Sequence, residues 1–139
     1  MSLRVFLDTN IVLDLLAERK PFYKSAAVLA TKAEQANFSL IVSPLTFVTA
    51  HHVLSKFEGS STSLNKLRKF KVICEICPQD QMIIEKALNS TFRDFENAVQ
   101  YYCAIDSKCN VIISRNARDY KQSTLPVLSA EEFLKSLDS

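Results

Sequence analysis

Apolar residues in this chain fall into short unbroken runs, separated by longer stretches in which they recur every three or four positions. The runs fit strands buried on both faces, and the spaced stretches fit amphipathic helices. Val5-Phe6-Leu7 predicts a strand over Arg4–Leu7. A helix is predicted over 11–19, with Ile11, Leu15 and Leu16 on one stripe and Pro21 beyond its end. A second helix over 22–36 carries Ala26, Leu29, Ala30 and Ala33 on one face, and a strand over 38–42 follows. Pro44 suits a first helical turn, where its missing N–H would be unpaired anyway, and the helix continues over 46–57. The small polar residues of Glu58-Gly-Ser-Ser-Thr-Ser63 predict a flexible linker.

Beyond it the pattern gives a helix over 63–70, a strand over 72–77 broken by Pro78, and a helix over 80–90. A longer helix over 92–108 has Phe95, Ala98, Val99, Tyr102 and Ile105 on one face. Strands at Val111–Ile113 and 125–128 come next, and Ser129-Ala-Glu-Glu132 has capping-box spacing for a closing helix. Repeated strand–helix alternation predicts one α/β domain over residues 1–139. Its three layers would be a central, mostly parallel sheet of four to five strands with helices on both faces.

Composition narrows the function. The length is that of one domain, and 47% apolar with 23% charged residues is ordinary for a globular protein. A single glycine, Gly59, excludes the Gly-rich phosphate loop and the dinucleotide fingerprint, which both need backbone close to phosphate. A formal charge of +2 neither demands nor excludes nucleic acid. No apolar run approaches the roughly 20 residues needed to span a bilayer, and the N-terminus lacks a leader pattern, so a soluble cytoplasmic protein with no membrane partner is expected. Cys74 and Cys77 form a CxxC, but on a predicted strand their side chains point to opposite faces. Reduced thiols are therefore expected rather than zinc.

Three polar clusters fall where strands end or helices begin. Asp8 and Asn10 follow the first strand. Asp94-Phe-Glu-Asn97 opens the long helix, with Asp94 and Asn97 one turn apart. Ser114-Arg-Asn-Ala-Arg-Asp119 follows the fourth strand. In a parallel sheet, strands 1 and 4 finish on the same edge, where open α/β sheets bind ligands. Oxygen donors gathered there suit Mg²⁺ or Mn²⁺, which activates water and stabilises charge at phosphorus. Asp8 also suits a helix cap and Asp94 a first-turn acid.

The segments Phe6-Leu-Asp-Thr-Asn-Ile-Val-Leu-Asp-Leu-Leu16, Asp94-Phe-Glu-Asn-Ala-Val-Gln-Tyr101 and Ser114-Arg-Asn-Ala-Arg-Asp-Tyr120 resemble, in order and spacing, the three signature segments of PIN domains. The resemblance is to the prokaryotic ribonuclease and toxin branch. It implies a divalent-metal-dependent endoribonuclease cleaving single-stranded RNA, and it includes toxins of toxin–antitoxin pairs, so an antitoxin partner and a homodimer are also implied. Carried over, Asp8, Asp94 and Asp119 are the catalytic acids. The metal ligands are Asp8, Asp94, Asn97 and Asp119, and Asn10, Asp14, Thr49, Glu96 and Asn116 stand behind them.

Which of Asp94, Glu96 and Asn97 faces the site is open. Two positions depart from the family: Thr49 stands where many members have Glu, and Asn97 where the branch has Asp. A catalytically weakened module that binds RNA or a protein without turnover is the alternative. Arg115, Arg118 and Lys69 are expected to contact RNA phosphates; Lys69 belongs to a basic run with Lys66, Arg68 and Lys71 that otherwise reads as a solvated face. His51 and His52, about 100° apart on a helix, read as structural.

Overall fold

Alternate residues of each central strand enter opposite cores. Val5, Leu7, Leu40, Val42, Val111 and Ile113 pack on one face of the sheet, and Phe6, Ile41 and Ile112 on the other. The computed structural model describes residues 3–35 and 38–138. Its elements run β1 (Arg4–Leu7), α1 (Thr9–Leu16), α2 (Tyr23–Glu34), β2 (Ser39–Val42), α3 (Pro44–Glu58), α4 (Ser60–Val72) and β3 (Cys74–Ile76). They continue with α5 (Gln81–Leu88), α6 (Phe95–Asp106), β4 (Val111–Ile113), a 3₁₀ turn (Ala117–Tyr120), β5 (Val127–Leu128) and α7 (Ala130–Leu137). The five strands lie in the order β3-β2-β1-β4-β5, and each neighbouring pair is parallel. Helices α1–α4 and α7 contribute buried residues to the first core, and α5 and α6 to the second. The architecture is the expected three-layer α/β fold, with the sheet at five strands and wholly parallel.

Helix starts are set by side chains that bond orphan backbone donors. The Asp8 carboxylate accepts from Thr9 N at 2.8 Å, so α1 opens at Thr9, two residues earlier than its apolar stripe suggests. It also ends earlier: Glu18 has φ 51°, and Arg19 lies outside the helix. Asp94 caps α6 by accepting from the N–H groups of Glu96 (2.8 Å) and Asn97 (3.4 Å). That places Phe92 in the preceding loop and leaves Phe95 half-exposed, not on the core face. The capping box at Ser129 and Glu132 forms as expected. Ala36, the last residue of the second predicted helix, lies outside the described residues.

The expected flexible linker is a helix. Only Gly59 is non-helical between α3 and α4, at φ 86° and ψ 160°, and Ser60–Val72 is continuous helix. Such a backbone conformation is essentially open only to glycine. Short polar residues favour helix N-terminal turns as much as loops, and here packing decides. Ser63 is fully buried, and its hydroxyl lies 2.8 Å from His51 Nδ1, which ties α4 to α3 and gives His51 a structural task. All four cysteines are free. Cys74 packs against the first core and Cys77 enters the second, so the CxxC is split across the sheet as its spacing predicts. Among the described residues no helix is long and apolar enough to cross a membrane.

Candidate functional site

Parallel strands bring the residues after β1, β2 and β4 to one edge. Leu7 is in register with Ile113, and Asp8 N donates to Ile113 O at 3.0 Å, so Asp8 and Ser114 abut. Asp8 is 6% exposed. Oδ1 accepts from Thr9 N (2.8 Å) and Oδ2 from the Ser114 hydroxyl (2.8 Å). Ser114 Oγ in turn accepts from Asn116 N at 3.0 Å, which fixes the loop after β4.

Behind Asp8 lies a buried polar hub. Gln100, fully buried on α6, donates from Nε2 to Thr46 Oγ1 (2.8 Å), Thr9 Oγ1 (3.2 Å) and Asp8 Oδ1 (3.5 Å). Its Oε1 accepts from Ser43 Oγ, and Thr9 and Thr46 share a hydroxyl–hydroxyl bond of 2.8 Å. One amide thus links β1, β2, α3 and α6 beneath the carboxylate. Replacing Gln100 by leucine, a side chain of similar size, takes one hydrogen-bond partner from each of three buried hydroxyls and one from Asp8. The expected loss is about 2–3 kcal/mol of stability by urea unfolding; a loss near zero would show that the hub does not hold the edge together.

Burial raises the Asp8 carboxyl above its ordinary pKa, while hydrogen bonds from Ser114, Thr9 and Gln100 pull it back. Glu96 is also raised, first by partial burial and then by the negative charges of Asp94 and Asp8. The phenol of Tyr120 is raised by burial and by Asp8, Asp119 and Glu96, so it stays protonated. Tyr120 is 2% exposed, and its hydroxyl closes no hydrogen bond of good geometry. A buried, unpartnered hydroxyl thus sits among three carboxylates.

The predicted residues separate accordingly. The charges of Asp8, Asp119 and Glu96 all act on the Tyr120 phenol. At the start of α6, the Glu96 carboxyl is raised in part by the charge of Asp8. Asp94 turns Oδ1 back to cap its own helix and, with Asn97 and Asp119, lines a polar cleft that also holds Arg118. Asn10 has a buried side-chain oxygen with no partner. Asn116 is exposed ahead of the 3₁₀ turn, its backbone N–H on Ser114.

Other predicted residues stand apart. Thr49 is half-buried one turn along α3 from Thr46, whose hydroxyl accepts from Gln100. Asp14 and Arg115 bind each other rather than the edge, at 2.8 and 3.2 Å. Lys69 lines a separate groove between α1, α2 and α4.

Among the described residues no three His, Cys, Asp or Glu side chains form a ready-made ion cage. The donor chemistry nonetheless fits a hard divalent cation: only oxygen is on offer, and the carboxylates raise the pKa of their neighbours around an orphaned hydroxyl.

The PIN domain family matches residues 4–118. The chain belongs to the PIN domain family. Ribonuclease VapC1 of Aquifex aeolicus (strain VF5) is 32% identical to this PIN domain over 138 residues, covering 95% of this chain and 94% of that protein. Among solved structures, VapBC-1 from nontypeable Haemophilus influenzae superposes with a TM-score of 0.71 at 16% identity, covering 93% of this chain and 99% of that one. DNA-bound VapBC from Salmonella typhimurium gives 0.67 at 15% identity, covering 92% and 98%.

Several working parts of this PIN domain escape sequence reasoning. Ser43, Thr46, Gln100 and Ser114 are neutral and carry no periodic or charge signal. Tyr120 has one faint signal, its place directly after Asp119.

Proposed function

We propose that this PIN domain is a divalent-metal-dependent endoribonuclease acting on single-stranded RNA, and the toxin of a toxin–antitoxin pair. The observation that carries the reading is the buried Asp8 carboxylate at the carboxyl edge of the parallel sheet, both oxygens fixed by the Thr9 N–H and the Ser114 hydroxyl, with Asp94 and Asp119 lining a polar cleft at the same edge. The similarity to ribonuclease VapC1 supports the reaction, and the likeness to VapBC structures supports an antitoxin partner. Asp8, Glu96 and Asp119, with Asp94 and the neutral oxygen of Asn97 at the rim, would hold Mg²⁺ or Mn²⁺. When bound, such an ion lowers the pKa of water and neutralises charge at phosphorus.

The chain's own residues do the rest. Ser114 and the Thr9 N–H fix both Asp8 oxygens. Gln100 keeps the carboxylate's base rigid. The Tyr120 hydroxyl keeps its proton and can donate a hydrogen bond into the site. Arg118 faces the cleft with Asp119 and can hold the strand.

The implied homodimer has apolar surface to draw on, with Val48 and Phe57 of α3 well exposed. A second reading, an RNA- or protein-binding module without turnover, is favoured by neutral Thr49 and Asn97 at two positions where the family often has acids. Incubation of single-stranded RNA with the protein in Mn²⁺ separates the two. The nuclease gives cleavage that EDTA stops. A module gives RNA binding that persists in EDTA with the RNA intact, and that outcome sinks the leading reading. Co-expression of a small neighbouring reading frame that relieves growth arrest would support the toxin role; arrest that no neighbour relieves would count against it.

A further inference from the structure

The cleft beside the acids holds cations that the site chemistry above does not use. It measures about 330 Å³ and lies between the loop leading into α6 and the turn after β4. Arg93 comes from the first segment and Arg118 and Lys121 from the second. Asp94 and Asp119 line the same space, yet none of the three cations closes an ion pair among the described residues. Arg4, Arg19 and Arg115, by contrast, are each paired with an acid. The two walls are pinned to each other: Gln122 Nε2 donates to Thr91 O at 3.1 Å and to Thr91 Oγ1 at 3.3 Å. Three cations without ion pairs on braced loops, next to carboxylates, form a dipolar cleft. Its negative end suits a metal, and its positive end suits an anion of the same substrate.

We propose that Arg93, Arg118 and Lys121 cradle a phosphodiester of the RNA strand adjoining the phosphate that is cut. This rests on the ribonuclease reading and adds a specified strand subsite to it. Cations placed there draw the backbone across the acids and set which phosphate reaches them, with no demand on base identity. Arg118 is an RNA contact that the sequence predicts. Arg93 and Lys121 are not, because neither belongs to a basic run.

The test uses the full chain carrying Asp8→Asn, so that a labelled single-stranded RNA oligomer is bound without being cut. Arg93→Gln with Lys121→Gln is compared with Lys56→Gln and Lys135→Gln, which remove the same charge from exposed positions on α3 and α7. The cradle pair is expected to weaken binding about tenfold. It should also flatten the dependence of log K on log salt by up to about 0.7, the contribution of one phosphate contact in single strands. The control pair should change affinity less than about twofold. In a chain that keeps Asp8, the cradle pair should leave the Mn²⁺-induced rise in Tm unchanged. Equal weakening by both pairs, or none by either, overturns the cradle while leaving the ribonuclease reading intact. Absence of RNA binding by the parent, together with absence of cleavage by the wild-type chain, removes the reading and the cradle with it.

Discussion

Asp8→Asn is expected to lower RNA cleavage in Mn²⁺ by about 10²–10³-fold while leaving the fold as stable as before or more so. The activity estimate follows from removing one preorganised electrostatic partner of the reacting phosphate. The stability estimate follows from burial. The carboxylate is 6% exposed, and its pKa is raised mainly because water is excluded. Its protonated form therefore favours the fold. That stabilisation is full below the ordinary carboxylate pKa and is lost as pH rises through the raised value.

Asparagine keeps an uncharged group there at neutral pH and still accepts one hydrogen bond, from Thr9 N or from Ser114. A second readout separates chemistry from folding. An ion at about 100 times its dissociation constant stabilises the protein that binds it by about 2.7 kcal/mol. Mn²⁺ should raise the Tm of the wild type and not that of the variant. A variant that unfolds, or one that keeps both cleavage and the Mn²⁺ shift, would show that Asp8 is a helix cap and nothing more.

Much of this site is legible in the amino-acid sequence, and the part that is not has a physical cause. A charged residue at the end of an apolar run is conspicuous, because it violates the pattern around it; Asp8 stands out that way. Parallel topology then brings the ends of β1 and β4 together without further information. Neutral polar residues violate nothing. Gln100 sits among Ala98, Val99 and Tyr101 on a face that is wholly buried, and its role depends on four partners distant in sequence. Thr46 reaches Thr9 and Gln100 because of where α3 starts, at Pro44, one residue after the Ser43 cap. Asp94 spends an oxygen on capping α6, a commitment that its sequence neighbours do not reveal. The serine-rich stretch after Gly59 misleads for a related reason: the same residues open helices and fill loops, and only packing against α3 chooses between them.

Asp14 shows how a charge can belong to the architecture rather than the chemistry, and its removal carries the largest expected loss of stability. It is 1% exposed, and Arg19 (3.0 Å) and Arg115 (2.8 Å) both bind it; their side chains are 39% and 29% exposed. The Arg115 guanidinium also stacks 3.9 Å from the Phe22 ring centre. The carboxylate therefore ties α1 to the turn that follows it and to the loop after β4. Asp14→Asn removes the charge that two cations share. Breaking a buried pair costs about 3–5 kcal/mol, reduced here because both arginines can turn toward water. A loss of about 2–4 kcal/mol is expected, seen as a Tm lower by roughly 8–12 °C.

Arg115→Met should cost less, about 1–2 kcal/mol, since Arg19 still neutralises Asp14 and the methionine still covers Phe22. It should leave the salt dependence of RNA binding unchanged, whereas Arg118→Gln should flatten it. Because Arg115 follows Ser114, the loop that holds Asp8 loosens when Asp14 is lost, so cleavage falls with stability. An Asp14→Asn protein with wild-type Tm would mean that the arginines are held by packing alone.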